Sequence, residues 1–306
     1  MTGKTIGKIA AALMLMTAPA LAQTAPPVGP DLSKVEIKTT DLGNRTYMLV
    51  GTGGNTTVAL GEDGVIMVDG QFAPLHEKLK AAIAELSPQP IKFLVNTHHH
   101  SDHSGGNARF AESGVTVVAH VNARNRLASG TTHNLSGAAT PPAPEIALPK
   151  QTHTDGTSLE LKGRTVQLKH ARAAHTDGDT YVHFADANVI ATGDTVTIGR
   201  YPNIDFANGG TIKGVIDAVD TYLALANDST KIVPGHGPLA DKAKLADYRA
   251  MLIASRDRMA KLISEGKSEA EIQAMKPFAD LDASWAVNDQ AARTWVRVVY
   301  VTVSRQ

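Results

Sequence analysis

Residues 97 to 103 read Thr-His-His-His-Ser-Asp-His and follow the apolar run Ile91–Val95 after one intervening residue, Asn96. A short apolar run of this kind predicts a buried strand, which delivers the chain into the histidine-rich segment. In extended backbone, residues i and i+2 point the same way, so His98 and His100 can share one metal ion while His99 faces away. Zinc needs about four ligands, so further donors must come from elsewhere.

The same segment supplies two more donors. Asp102 and His103 follow a predicted bend and precede Gly105 and Gly106. They are well placed to serve a second metal ion a few ångströms from the first. The chain contains no cysteine, so no thiolate can act as ligand or nucleophile, and a transition-metal site must be built from histidine and carboxylate.

Three further candidate donors lie far along the chain, in loops of small residues at the ends of predicted strands. His175 lies in Ala-His-Thr-Asp-Gly, Asp194 in Thr-Gly-Asp, and His236 in Pro-Gly-His-Gly. Such loops are where layered sheet proteins present their chemistry, and glycine permits close approach of the backbone. Taken singly, each is an ordinary loop residue, and the residues alone do not assign each one to a metal ion.

The hydrophobic periodicity elsewhere predicts a layered α/β fold. The predicted strands are Val35–Thr39, Thr46–Val50, Thr56–Leu60, Val65–Val68, Ile91–Val95, Val115–Ala119, Leu159–Leu161, Thr165–Leu168, Tyr181–Phe184, Val189–Ala191 and Ile232–Val233. The predicted helices are Pro74–Leu86, Asn107–Glu112, Ile212–Leu225, about Leu239–Glu265, and Ser268 to the C-terminus, where Val296–Val303 also fits a strand. The proline-rich stretch Thr131–His153 predicts a long loop, a feature that is often functional in compact domains. This order favours two sheets with helices outside, an αββα sandwich with a helical extension from about residue 240.

The first residues predict a targeting segment. A short basic start precedes an apolar run too short to span a bilayer, and Ala20-Leu21-Ala22 has the small-x-small pattern of a signal-peptidase site. We expect a signal peptide over residues 1–22, a flexible leader over residues 23–34 and the folded domain over residues 35–306. Cleavage after Ala22 would leave a periplasmic or secreted protein without membrane attachment; a short membrane anchor is the alternative.

The charge balance narrows the range of partners. Lys plus Arg and Asp plus Glu both number 30, a formal net charge of zero. A balanced charge gives no indication of the excess positive charge that binding to nucleic acid requires. A small-molecule substrate is the expected partner, and the sequence does not define an oligomeric state.

Five parts of the chain together resemble the metallo-β-lactamase superfamily, over roughly residues 35 to 245. They are Asp69 in Val-Asp-Gly, the run His98–His103, His175, Asp194 and His236, in that order. The resemblance implies the four-layer αββα fold with its C-terminal helical extension. It also implies these roles: ligands of metal one, His98, His100 and His175; ligands of metal two, Asp102, His103 and His236; a bridge between the metals, Asp194; and orientation of a ligand loop, Asp69.

A site of this kind implies a dinuclear hydrolase that holds two Zn²⁺ ions, with iron or manganese as alternatives. Two metals that share a water lower its pKa toward neutrality, and the resulting hydroxide would attack a carbonyl carbon. Asp102 would be the catalytic side chain that orients the nucleophile or receives its proton.

The residue at position 194 complicates the choice of substrate. Export favours β-lactam hydrolysis, yet metallo-β-lactamases usually carry Cys or Ser where this chain has Asp194. A bridging aspartate is more typical of glyoxalase II-type thioesterases and lactonases. We therefore expect β-lactam hydrolysis first, with lactone or thioester hydrolysis close behind. An iron-dependent oxidoreductase of the same superfamily is a further alternative. The intact donor set argues against a non-catalytic binding protein.

Overall fold

Two β-sheets of unequal size hold most of the strands in the computed structural model, which describes residues 31–305 together with residues 1 and 3. The predicted signal peptide and most of the predicted leader lie outside the described residues. The strands are β1 Lys38–Gly43, β2 Thr46–Val50, β3 Thr56–Leu60, β4 Val65–Val68, β5 Ile91–Val95, β6 Thr116–His120, β7 Thr131–Thr132, β8 Ala139–Thr140, β9 Gln151–His153, β10 Gly156–Leu161, β11 Arg164–Ala171, β12 Asp179–Phe184, β13 Val189–Thr197 and β14 Lys231–His236.

The larger sheet has the order β1-β2-β3-β4-β5-β6-β9, and the smaller one β10-β11-β12-β13-β14. Strands β1 to β4 pair in sequence order as an antiparallel meander. In the smaller sheet, β10 and β11 form one hairpin and β12 and β13 another. The first strand begins at Lys38 rather than at Val35, so the predicted start was wrong. The predicted long loop ends in β9 and contains the short β7–β8 ribbon.

The helices are α1 His76–Leu86, α2 Ser101–Ser104, α3 Asn107–Glu112, α4 Val121–Ser129, α5 Ile212–Leu225, α6 Lys242–Ser264, α7 Glu269–Met275, α8 Ala279–Trp285 and α9 Asp289–Ser304. The valine-rich segment that also fitted a strand is part of α9, whose N-cap Asn288 accepts a hydrogen bond from Ala291 N. This helix buries Trp295, Val298 and Val299 along one face, and that helical spacing outweighs the strand preference of valine. No helix among the described residues is long and apolar enough to cross a membrane.

Side-chain alternation along the strands creates the layers. In β4, Ile66 and Val68 pack into the core between the two sheets, whereas Val65 and Met67 pack against the helices on the outer face. All four positions are buried because both faces of the strand are covered. The opposite outer layer packs α5, α6 and α9 against the smaller sheet. The predicted αββα sandwich is therefore confirmed.

One buried arginine ties the two sheets together. Arg164, at the start of β11, donates from Nη1 to the carbonyl oxygens of Asn44 and Arg45, each at 3.0 Å. Its Nη2 donates to Thr46 Oγ1 at 2.5 Å and to Asp186 Oδ1 at 3.1 Å. The guanidinium thus joins the β1–β2 turn of the larger sheet to the smaller sheet.

We expect Arg164→Leu to lower the free energy of unfolding by about 3 kcal/mol, because several buried acceptors lose their donor at once. Urea denaturation with an unchanged m-value would measure this loss. Arg172→Leu is the matched control, since the Arg172 side chain is 77% exposed beside Asp155 and its ion pair should contribute under about 1 kcal/mol. Equal stability losses in the two variants would contradict the role given to Arg164.

Three histidines meet at the seam between the sheets. The rings of His120 and His170 stack with centroids 3.8 Å apart, and the His153 ring lies 5.5 Å from that of His120. The pKa of both His153 and His170 is lowered to about 4. Burial is the larger cause, and the neighbouring His120 is the second. The folded protein therefore holds these rings neutral.

Stability is expected to fall as the pH is lowered from about 6.5 to about 4. In that window the unfolded chain takes up protons on these histidines, whereas the folded chain does not. Urea denaturation at a series of pH values would show the slope, and His170→Gln should reduce it. A slope that His170→Gln does not alter would contradict this account.

Candidate metal centre

The histidine-rich segment bends at Thr97, His98 and His99 and then enters α2, for which His100 is the N-cap residue with φ −64° and ψ 146°. The rings of His98 and His100 lie 4.8 Å apart, centroid to centroid. Both rings approach His175, from the loop between β11 and β12, at 4.6 and 4.8 Å. We call these three residues the first group.

The second group consists of Asp102, His103 and His236. His236 Nε2 lies 3.0 Å from Asp102 Oδ2 and 3.3 Å from His103 Nε2. His103 Nε2 is 3.5 Å from the same Asp102 oxygen. One donor atom from each of the three residues lies within 4.8 Å of the others, so the group could hold a metal ion.

Asp194 lies between the two groups. Its Oδ1 is 3.1 Å from His103 Nε2 and 3.4 Å from His236 Nε2, and its Oδ2 is 3.9 Å from His175 Nε2. It also joins the three histidines of the first group in a four-donor set within 4.8 Å. The parallel pairing of β13 and β14 brings Asp194 and His236 to the same end of the smaller sheet.

Neighbouring residues orient the histidine rings. His98 Nδ1 lies 3.0 Å from Thr97 Oγ1, His103 Nδ1 lies 2.8 Å from Asp69 Oδ2, and His100 Nε2 lies 2.9 Å from Asp205 Oδ2. His175 Nδ1 bonds to the carbonyl oxygen of Asn203. Each of these rings therefore engages the protein through one nitrogen and turns the other toward its group, the arrangement that fixes tautomer and orientation in metal sites.

The carboxylate of Asp69 makes three hydrogen bonds although it contributes no atom to either group. Besides His103, it accepts from Thr97 N and Thr97 Oγ1, both at 2.8 Å. The residue is 1% exposed. It thus holds the start of the histidine-rich segment and one ring of the second group with a single carboxylate.

Asp205 and Asn203 were not predicted from the sequence. Both lie in the irregular segment between β13 and α5, where no periodicity or motif singles them out. The segment touches three of the histidines, because Ile198 N also donates to His236 O at 3.0 Å. On its other side it meets the C-terminal helices, where Tyr201 donates to Asp282 Oδ1 at 2.9 Å and stacks on Trp295 with centroids 5.1 Å apart. The helical extension therefore supports residues that orient the site.

Two glycines permit the close packing of the site. A Cβ on Gly54 would lie 2.1 Å from a carbon of the His103 ring, and a Cβ on Gly235 would lie 2.0 Å from Asp194 Oδ1. Any larger residue at either position would displace a donor.

The electrostatics of the second group favour a cation. Burial opposes the charge on Asp194, but His103 and His236 outweigh it and hold the pKa of Asp194 well below its usual range. Burial likewise opposes protonation of His236, yet Asp194 and Asp102 raise the pKa of His236 to about 9. The two carboxylates thus stabilise positive charge at the point where these side chains converge.

The donor set fits metal ions. His98 Nε2 is buried and has no hydrogen-bond partner among the described residues, and Asp194 Oδ1, although close to His103, makes no bond of proper geometry. Buried polar atoms without partners are rare because each costs about 1–3 kcal/mol. Histidine nitrogens and carboxylate oxygens are ligands that zinc accepts.

The chain belongs to the metallo-beta-lactamase superfamily, whose sequence model matches residues 49–236. That span holds every member of both groups as well as Asp69 and Asp194. The superfamily consists mostly of hydrolases and typically binds metals, so the chain is hydrolase-like.

The chain is also similar to individual proteins, one in sequence and two in fold. The chain is 27% identical over 169 residues to a hydroxyacylglutathione hydrolase from a Polaromonas species. The matched region covers 53% of this chain and only 55% of the length of that relative. A metallo-beta-lactamase from Pontibacter korlensis has a similar fold, with a TM-score of 0.59 at 18% identity over 71% of this chain and 99% of that one. The sec-alkylsulfatase Pisa1 from a Pseudomonas species reaches a TM-score of 0.63 at 18% identity over 86% of this chain and 50% of that one.

Proposed function

We propose that this protein is a dinuclear metal-dependent hydrolase that acts on a carbonyl substrate, with zinc at both positions. The observation that carries the proposal is the convergence of six side chains into two groups around a seventh, Asp194. His98, His100 and His175 would hold one ion, Asp102, His103 and His236 the other, and Asp194 would bridge them. When bound, two such ions supply Lewis acidity and lower the pKa of a shared water toward neutrality.

The chain's own residues have distinct tasks in this reaction. Asp102 is 26% exposed in its side chain and lines a cavity, so its carboxylate can orient the attacking water and receive its proton. Asp69 and Asp205 keep the Nε2 of His103 and the Nδ1 of His100 directed inward. Burial of His98, His103 and His175 keeps bulk water from these donors.

Two substrate classes remain in competition. β-Lactam hydrolysis stands first, because the predicted export would place the enzyme where β-lactams act; we propose a periplasmic or secreted location on the same grounds. Lactone or thioester hydrolysis is the second candidate. The aspartate at position 194 and the similarity to a hydroxyacylglutathione hydrolase favour it. An iron-dependent oxidoreductase is the remaining alternative.

One panel of assays orders these candidates. Zinc-loaded protein would be tested on nitrocefin, an acyl-homoserine lactone and S-lactoylglutathione, with EDTA-treated protein as the control. Turnover that requires metal supports the proposal, and the preferred substrate ranks the classes. Full activity after chelation would contradict it, and inactivity on nitrocefin with robust turnover of another substrate would reverse the ranking. Oxygen consumption by iron-loaded protein would favour the oxidoreductase.

A further inference from the structure

A cavity of about 480 Å³ adjoins the metal centre. Its inner end is formed by the segment from His99 to Asp102, and its walls by α3, α4 and the stretch between Gly130 and Ala147. The volume lies within the range of about 300–1,000 Å³ found for small-molecule sites. Because Asp102 and His100 belong to both the cavity and the two groups, a ligand in the cavity would extend directly from the metal centre.

The walls of the cavity are largely apolar. Ala108 projects from α3, Leu127 from α4, and Pro141, Ala143 and Pro144 from the stretch opposite. Small and proline side chains leave the space open without offering hydrogen bonds. Such a lining favours alkyl or aromatic groups, whose burial is worth about 25 cal/mol per Å².

The cavity is poorly suited to an anion. Among the described lining residues, Arg126 is the one lysine or arginine. Its guanidinium already bonds to both Asp177 carboxylate oxygens, at 3.3 and 2.7 Å, and to Asn208 Oδ1 at 3.2 Å. A substrate carboxylate would therefore find no uncommitted lysine or arginine charge in the part of the cavity that the structure describes.

Several polar side chains also line the cavity, among them Thr131, His133 and Thr140. His99 lines it as well, but both of its ring nitrogens are buried, so they are not available to a ligand in the cavity.

We infer that this cavity binds the apolar acyl group of the substrate. The inference rests on the proposed hydrolase function and narrows it. The favoured substrates are esters, lactones or amides with an extended acyl or acylamino group. Compounds whose acyl part is as small as a lactoyl group would leave the cavity unfilled.

The first experiment compares chain lengths. Binding of octanamide and butanamide, two neutral and unreactive probes, would be measured by calorimetry on the zinc-loaded protein. Turnover of N-octanoyl- and N-butanoyl-homoserine lactone would be measured in parallel. A buried methylene is worth about fourfold in binding, so four of them give up to about two hundredfold. We expect octanamide to bind at least tenfold more tightly than butanamide.

Blocking the cavity provides the second experiment. Ala108→Phe and Ala143→Phe fill it from opposite walls, so one remains informative if the other fails to fold. Arg109→Phe is the matched control, because that side chain is 63% exposed on the same short helix. Each blocking variant should weaken octanamide binding at least tenfold and butanamide binding less than about twofold. The control should bind both probes as the unaltered protein does.

The results separate this inference from the proposed function. Equal binding of the two probes, or equal weakening of both in the blocking variants, would overturn the acyl cavity even if nitrocefin or a lactone is hydrolysed. Conversely, a chain-length preference in a protein that turns over none of the panel substrates would support the cavity and contradict the proposed function.

Discussion

Asp194→Ala is expected to reduce kcat/KM by more than about a thousandfold and to lower the bound metal from two ions to one or fewer. The loss should exceed the 10- to 100-fold typical of residues that only orient a ligand. The reason is the position of the carboxylate, with Oδ1 3.1 Å from His103 Nε2 and Oδ2 3.9 Å from His175 Nε2. No other carboxylate among the described residues approaches both groups in this way.

The measurement pairs steady-state kinetics with metal analysis by mass spectrometry. Asp228→Ala is the control, because Asp228 is an exposed aspartate in the turn before β14. Circular dichroism would establish that both variants are folded. A variant that kept two metal ions and more than about a tenth of the activity would refute the bridging role of Asp194.

The second large effect is expected at Asp69. Asp69→Asn should weaken metal binding about 10- to 100-fold, as is typical for the partner of a ligand histidine. The asparagine oxygen can still accept from Thr97, but the amide nitrogen is a donor. In the unaltered protein His103 Nδ1 lies 2.8 Å from Asp69 Oδ2. An amide nitrogen in place of that oxygen would donate to Nδ1 and so favour the His103 tautomer whose proton is on Nε2. That tautomer cannot ligate through Nε2.

The backbone makes asparagine the right substitution. Asp69 has φ of +63°, a left-handed conformation that asparagine adopts more readily than alanine does. Asp69→Asn therefore separates the effect of the carboxylate from backbone strain. Metal affinity would be measured by competition with a chromogenic chelator, and excess zinc should restore part of the activity. Unchanged affinity would show that Asp69 serves folding alone.

The sequence predicted those features that arise from local periodicity. Alternation in extended backbone placed His98 and His100 together, and the apolar runs located the strands. The order of the remote residues resembles that of a known family, and this resemblance indicated His175, Asp194 and His236 as candidate metal ligands. The structure brings these residues together, and their roles as ligands stay predictions.

What the sequence could not supply depends on contacts between distant segments. Asp205 bonds to a histidine 105 residues away, and nothing near it in the chain indicates this. His99 was expected to face away from the metal, but one of its ring nitrogens lies within 4.8 Å of donor atoms of His100 and Asp205, a third set that could hold a metal ion. The cavity that His99 lines is created by a stretch whose prolines predict a loop but not its position. Likewise, only the packing of Tyr201 on Trp295 reveals that the C-terminal helices support the site.

Metal titration of the chelated protein decides whether the site is a dinuclear hydrolytic centre. Protein stripped with EDTA would receive zinc in steps while bound metal and hydrolysis of the preferred panel substrate are followed together. We expect two ions per chain, with activity that is absent without metal and returns as the two positions fill. Full activity in the stripped protein, or saturation at a single ion with full activity, would contradict a dinuclear hydrolase.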